Sequence, residues 1–294
     1  MNNSKLSIGT VQFGMQYGVA NNLKKTDVRH VVKILDTAHK EGINALDTAP
    51  IYGNSEVVLG EALCGQNWNI TTKIPPCEED VVSASYLKTI KKSLCHSLLS
   101  LGVQIVDGLL VHNCDDLFKP GGRDIFFELK KLQSLGLIKK IGVSAYNSRQ
   151  VEMTLDKFDI DLIQLPINIL DQNLLIDGWL KKIKEKGIEI HARSVFLQGV
   201  LLMPRHTLPA YFSDIYNNIE DFIGHAHKLS LSCAELALGF VQNIDEIDKI
   251  IVGVNTINQL REIIEAKQVD LDIIEFRRIS VNDPNYTNPS LWKL

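Results

Sequence analysis

The sequence is poorest in paired cysteines, in concentrated positive charge and in long apolar runs. Its five cysteines (Cys64, Cys77, Cys95, Cys114 and Cys233) are odd in number and scattered, with no CxxC pair. That spacing excludes a zinc ribbon and a disulfide framework, and it fits reduced thiols in a cytosolic protein. The formal net charge is −4 and no Lys/Arg run is dense, so no basic field exists to draw a nucleic acid. No apolar stretch is long enough to span a bilayer, and Met1-Asn2-Asn3-Ser4-Lys5 leads straight into a strand with no secretory signal. The expectation is a soluble, cytoplasmic protein with no membrane or nucleic-acid partner and no metal site.

What the chain does have is apolar matter for one large core. At 294 residues, 45% hydrophobic and 22% charged, it suits a single α/β barrel, which typically runs to about 250 residues. β-rich runs alternate with amphipathic ones. Strands are predicted at 6–8, 45–47, 69–73, 106–111, 141–144, 162–164, 188–192 and 249–252. Asp27 reads as the N-cap of a helix carrying Val31, Val32, Leu35 and Ala38, which Gly42 stops. Further helices are predicted from Ser55 onward and at about 83–101, 126–135, 148–157, 174–186, 214–229, 232–242 and 256–266. A longer connection, 197–212, carries Gly199, Pro204 and Pro209. Eight strand–helix units predict a parallel sheet, and their number predicts closure into a (β/α)8 TIM barrel. No GxGxxG follows the first strand, which argues against an open dinucleotide-binding sheet. Nothing in composition divides the chain. Residues 1–294 read as a single barrel domain, with the tail 270–294 packing across the barrel through its aromatic end at Trp292.

In such a barrel the carboxyl ends of the strands converge on one mouth. Asp47, Lys73 and His112 end the second, third and fourth strands, and Tyr52 follows in the loop after the second. Each alone has a plainer explanation: an Asp capping a turn, a half-buried Tyr, a solvated Lys, a hydrogen-bonded core His. Together, at successive strand ends, they form a set suited to carbonyl reduction. Hydride addition creates an alkoxide that has to be stabilised and protonated in the same event. Tyr52 can donate that proton if a cation nearby favours its ionised form. Lys73 supplies the cation, Asp47 holds it charged, and His112 directs the carbonyl oxygen. No side chain supplies hydride, so an organic cofactor is required.

With these residues in place the sequence resembles the aldo-keto reductases. The matching segments are GTVQFG at 9–14, DTAPIYGNSEVVLG at 47–60, the TTK ending at Lys73, LLVHN at 109–113, IGVS at 141–144, Gln164, and SVFLQGVLL at 194–202. The resemblance covers about residues 5–266. It implies a (β/α)8 barrel with NADPH extended across the mouth and Tyr52 as general acid, or base in reverse. By position it places Ser144 and Gln164 on the nicotinamide carboxamide, and the backbone around Ser194, Phe196 and Leu197 on the pyrophosphate.

Three departures from the family pattern stand out. Ala145 occupies a common Asn position, Arg193 falls on the aromatic platform beneath the nicotinamide, and Gly253, Asn255 and Gln259 fall where a basic residue and a hydroxyl commonly meet a 2′-phosphate. Arg261 and Lys267 are nearby cations off the usual position, so NADH is a rival to NADPH. The resemblance implies a monomer acting on a small-molecule carbonyl: an aldehyde, a ketone or a sugar. Polar loop residues (Gln12, Gln16, Tyr17, Asn113, Arg205, His206) lean toward a hydroxylated substrate. The alternatives are a catalytically weak cofactor-binding sensor on the same fold, and a lyase using Lys73 as a Schiff-base amine. Cys114, two residues past His112, reads as an inert buried thiol that could alternatively approach the mouth.

Overall fold

The computed structural model describes residues 5–20, 24–266 and 269–293. Eight strands form in sequence order: β1 Leu6–Gly9, β2 Ala45–Asp47, β3 Asn69–Ile74, β4 Val106–Val111, β5 Ile138–Ser144, β6 Leu162–Pro166, β7 Glu189–Arg193 and β8 Lys249–Gly253. Each is parallel to its neighbour, and β1 pairs with β8 to close the barrel. The expected (β/α)8 barrel is therefore the fold. Strands enclosed by a ring of helices are buried on both faces, which explains why they read as near-continuous apolar runs such as Leu162-Ile163 and Ile250-Ile251.

Local signals set most helix boundaries. Asp27 accepts a hydrogen bond from the Arg29 backbone and starts the helix Val28–Lys40, whose apolar stripe buries Val31, Ile34, Leu35 and Ala38. Ser83 caps Ala84–Leu101 through the Tyr86 N–H, and Gly102 ends that helix in the left-handed conformation. One expected element divides. The predicted helix 174–186 is two, Asn173–Ile176 and Trp179–Glu185, because Gly178 between them sits at φ 73°. The connection expected at 197–212 is a series of short 3₁₀ turns at Leu197–Leu202, Arg205–Thr207 and Ala210–Ile215.

The tail lies against the barrel. Phe276 and Ile279 are buried, Gln172 donates to the Phe276 carbonyl at 2.9 Å, and Val281 donates to the Leu170 carbonyl at 2.7 Å. The Trp292 ring meets Phe212 edge-on at 5.0 Å. Around the amino ends of the strands, Lys140 bridges Asp107 (3.1 Å) and Glu189 (2.6 Å). Among the described residues no helix is long and apolar enough to cross a membrane.

Candidate active site

Register places the site before any side chain is considered. Asp47 pairs with Gly9 on one side and Thr71 on the other, and Ser144 pairs with Gln164. His112 follows directly on β4 and Ser194 on β7. These strand ends surround a cavity of about 570 Å³, a size suited to a cofactor or small ligand.

Buried hydroxyls tie the first two strand ends together. Ser55 donates to the Thr10 carbonyl and hydroxyl at 2.9 Å, and Thr10 donates to the Asp47 carbonyl at 2.9 Å. Two glycines then let the loop that carries Tyr52 dock on the loop after β1. A Cβ on Gly14 would fall 1.8 Å from the Tyr52 carbonyl oxygen, and Gly53 sits at φ 60°, where a Cβ would fall 2.5 Å from the Gly14 oxygen. The loop that carries the phenol is thereby docked by close backbone contacts.

Lys73 and Asp47 form a buried ion pair. The ammonium donates to both carboxylate oxygens (3.0 and 2.9 Å) and to the Thr48 carbonyl (2.9 Å), and the two side chains are 2% and 8% exposed. Asp47 also accepts from the Gln164 amide. Burial by itself would strip the proton from Lys73, but the Asp47 carboxylate, with Tyr52, more than reverses this and holds the ammonium above its ordinary range. The ammonium lies 5.0 Å from the centroid of the Tyr52 ring. Burial pushes the Tyr52 phenol up, and Lys73 and Arg193 only partly pull it back, so the group keeps its proton. The His112 ring stands edge-on to Tyr52 at 5.9 Å. Burial pulls its pKa down to about 3, with Lys73 and Arg193 adding to the effect, so the imidazole is neutral.

The cavity wall also holds Ser144, Gln164, Arg193, Ser194, Phe196, Gly253, Asn255 and Gln259. Leu197 does not reach the wall. It is fully buried, and Gln198 and Gly199 stand there instead. Both Leu197 (φ 46°) and Gln198 (φ 51°) are left-handed, as is Ser194 (φ 61°), so the chain reverses sharply and the leucine drops into the core. Such strain is stored where surrounding contacts impose it. Here Asn168 donates to the Ser194 carbonyl (3.1 Å), Val19 to the Gln198 carbonyl (3.1 Å), and the Gln198 amide to the Tyr17 hydroxyl (3.0 Å). Gln259 has a second task, accepting from the Asn255 and Thr256 N–H groups at the start of the helix Ile257–Glu265.

Of the polar loop residues, Gln12 and Tyr17 line the cavity. Arg205 pairs instead with Glu220 at 2.8 Å, and Asn113 accepts from the Asp115 N–H to start a 3₁₀ turn. Gln16 and His206 are exposed and off the cavity wall. Arg261 is exposed and also off the wall, and Lys267 lies outside the described residues. Cys114 is buried beside the Thr154 hydroxyl (3.3 Å), and burial raises its pKa to about 11.

Sequence reasoning missed Thr10 and Tyr146. Thr10 follows directly on β1 and Tyr146 lies two residues past β5, so the strand-end rule applied one or two residues further would have found both. Tyr146 carries the Arg193 guanidinium on its ring at 4.1 Å. Arg193 also donates to the carbonyl of Ala145, so the position without a side-chain amide serves through its backbone.

Comparison with known proteins agrees with this fold. The profile of the Aldo/keto reductase family matches residues 5–281. The chain is 24% identical over 269 residues to an NADH-specific methylglyoxal reductase of Escherichia coli, covering 80% of this chain and 81% of that one. It is 25% identical over 286 residues to an L-galactose dehydrogenase of Arabidopsis thaliana, covering 90% and 86%. Its fold superposes on the holo form of an aldo-keto reductase from Bacillus halodurans with a TM-score of 0.71 at 21% identity, over 94% of this chain and 90% of the other. The chain belongs to the aldo/keto reductase family. It is an oxidoreductase.

Proposed function

We propose that this protein reduces the carbonyl of a small aldehyde, ketone or sugar with a nicotinamide cofactor, and that Tyr52 is the proton donor. The observation that carries this reading is the buried Lys73–Asp47 pair set against a phenol that keeps its proton. The carbonyl oxygen is received by Tyr52 and by the N–H of the neutral His112 ring. As negative charge develops on that oxygen, the Tyr52 hydroxyl gives up its proton, and the adjacent Lys73 ammonium stabilises the phenolate left behind. Asp47 keeps Lys73 protonated throughout, which also makes it a poor Schiff-base nucleophile.

The residues present fit the cofactor. Gln164 spends its amide on Asp47 and leaves a buried carbonyl oxygen with no hydrogen-bond partner, a ready acceptor for a carboxamide N–H. Ser144 lies beside it in register. Asn255 and Gln259, at the start of the helix Ile257–Glu265, line the same cavity, and a phosphate there would exchange with the Gln259 and Thr256 side chains that now accept from the N–H groups of that turn. NADH or NADPH held by these groups supplies the hydride when bound. The similarity to an NADH-specific methylglyoxal reductase supports NADH as well as NADPH, and small aldehydes as well as sugars, as the compounds to test. The protein is proposed to work as a cytoplasmic monomer.

Fluorescence titration with NADH and NADPH, followed by a carbonyl panel run with Tyr52→Phe as the control, tests the reading. Binding plus turnover that Tyr52→Phe abolishes supports it. Binding without turnover of any carbonyl favours a sensor on the same fold, and binding of neither cofactor overturns the proposal.

A further inference from the structure

Two cations line the cavity, Lys73 and Arg193, against one anion, Asp47. Lys73 takes both oxygens of Asp47. Among the described residues no carboxylate lies within ion-pairing distance of Arg193: its direct partners are the Tyr146 ring at 4.1 Å, the Ala145 carbonyl at 3.3 Å and the Ser194 hydroxyl at 3.5 Å, and its Nε is buried with no partner. The nearby Asp171 carboxyl feels the guanidinium but is off the cavity wall, and burial pushes its pKa up to about 7, which weakens it as a counter-charge. A guanidinium does not lose its proton in a protein, so the cavity wall carries one permanent positive charge that no direct ion pair neutralises. Stacking on Tyr146 and the bond to Ala145 hold that charge across the ends of β5 and β7. It reaches the reacting centre, since it contributes to the downward pull on both His112 and Tyr52.

We infer that Arg193 sorts cofactor forms by charge, admitting the neutral ring of the reduced nicotinamide and rejecting the cationic ring of the oxidised form. The inference rests on the proposed function, because hydride reaches a carbonyl held at Tyr52 and His112 only if the nicotinamide ring enters this same cavity. The two redox forms share their phosphates, riboses and adenine, so a difference in their affinities isolates the charge on the ring. Rejecting the oxidised form leaves the overall equilibrium of the reaction unchanged. It speeds release of the spent cofactor, a step that limits turnover in many enzymes, and it weakens product inhibition. The chain is therefore set up as a carbonyl reductase in preference to an alcohol dehydrogenase.

The test is equilibrium titration of the full-length protein with the reduced and oxidised forms of whichever cofactor binds. The expected result for the wild type is reduced cofactor bound at least about tenfold tighter, equivalent to about 1.4 kcal/mol. Arg193→Gln should collapse that ratio toward one while Arg193→Lys, which restores a cation, should recover most of it. Thermal melts check that each variant folds, and Arg193→Met replaces Arg193→Gln if the latter does not. Equal affinities in the wild type overturn the inference while leaving the cofactor reading intact. A ratio that survives in Arg193→Gln assigns the preference to another group and overturns it too. If neither form binds, the proposed function falls and this inference with it.

Discussion

Replacing Asp47 by Asn should make the stability of this protein depend on pH in a way the wild type does not. The Lys73–Asp47 pair is almost wholly out of water, with side chains 2% and 8% exposed. Removing one partner of such a pair leaves a buried charge without compensation and typically destabilises by about 3–5 kcal/mol. The variant retains neutral acceptors near Lys73, the Thr48 carbonyl and the amide oxygen of the new Asn, so the lower part of that range is expected near pH 7. In the wild type, Asp47 holds the Lys73 pKa above its unfolded value, so the lysine is protonated in both states and contributes no slope until the pH passes the ordinary lysine range. In Asp47→Asn the desolvation of Lys73 is no longer offset, and the folded-state pKa falls below the unfolded one. The unfolded chain then binds one more proton than the folded chain between those two values. Stability of the variant therefore rises with pH in that window, by up to about 1.4 kcal/mol per pH unit. Urea denaturation of both proteins from about pH 7 to about pH 9.5 reads this directly, because other titrating groups largely cancel in the difference. The gap should be widest near neutrality and narrow as the pH rises. A gap under about 1 kcal/mol at pH 7, or one that stays flat with pH, would refute the claim that this is a desolvated, mutually dependent pair.

Three further outcomes follow from the same geometry. His112 stays neutral because burial, Lys73 and Arg193 hold its pKa near about 3, so the pH profile of kcat/KM for carbonyl reduction should show no imidazole step between about pH 5 and pH 8. The rate should decline only on the alkaline side, above the ordinary phenol range, as Tyr52 loses its proton; a step near pH 6.5 that disappears in His112→Gln would contradict this assignment. Gly53→Ala forces a side chain into a left-handed turn 2.5 Å from the Gly14 oxygen, so it should lose more than about 1 kcal/mol in denaturant melts and lower kcat by displacing Tyr52, whereas Gly42→Ala, with open space around it, should leave kcat unchanged. A thiol reagent applied to the native protein should label Cys64 and Cys95 quickly and reach Cys77 and Cys114 only on unfolding, as peptide mass mapping would show; fast labelling of Cys114 would place it on the cavity after all.

The barrel was legible because its signals are local. The strands are short and mostly β-branched or apolar, each is followed by an amphipathic run, and caps such as Asp27 and Ser83 lie where the chain announces them. Asp47, Lys73 and His112 were legible for a related reason. A strand end in a barrel is an address, and residues at successive addresses meet whatever lies between them in sequence.

What stayed hidden depends on contacts between distant segments or on backbone conformation. Nothing near Arg193 says that its guanidinium will rest on Tyr146, 47 positions earlier, because that depends on how far β5 and β7 extend toward the mouth. The reversal that buries Leu197 and exposes Gln198 to the cavity rests on left-handed residues that are not glycine, which sequence preferences argue against. The split at Gly178 was readable in principle, since glycine ends helices, but the apolar spacing on either side concealed it.

The central claim is that Tyr52 protonates a carbonyl oxygen while hydride is delivered in this cavity. The most direct measurement supplies reduced cofactor carrying deuterium at the transferable position, with a small aldehyde such as methylglyoxal, and follows the label by mass spectrometry. The account predicts product with deuterium on the former carbonyl carbon in the wild type. In Tyr52→Phe it predicts a loss of at least about a hundredfold in its rate of formation, with cofactor affinity retained. Cofactor consumed without label in the product, or equal labelling in the two proteins, would contradict it.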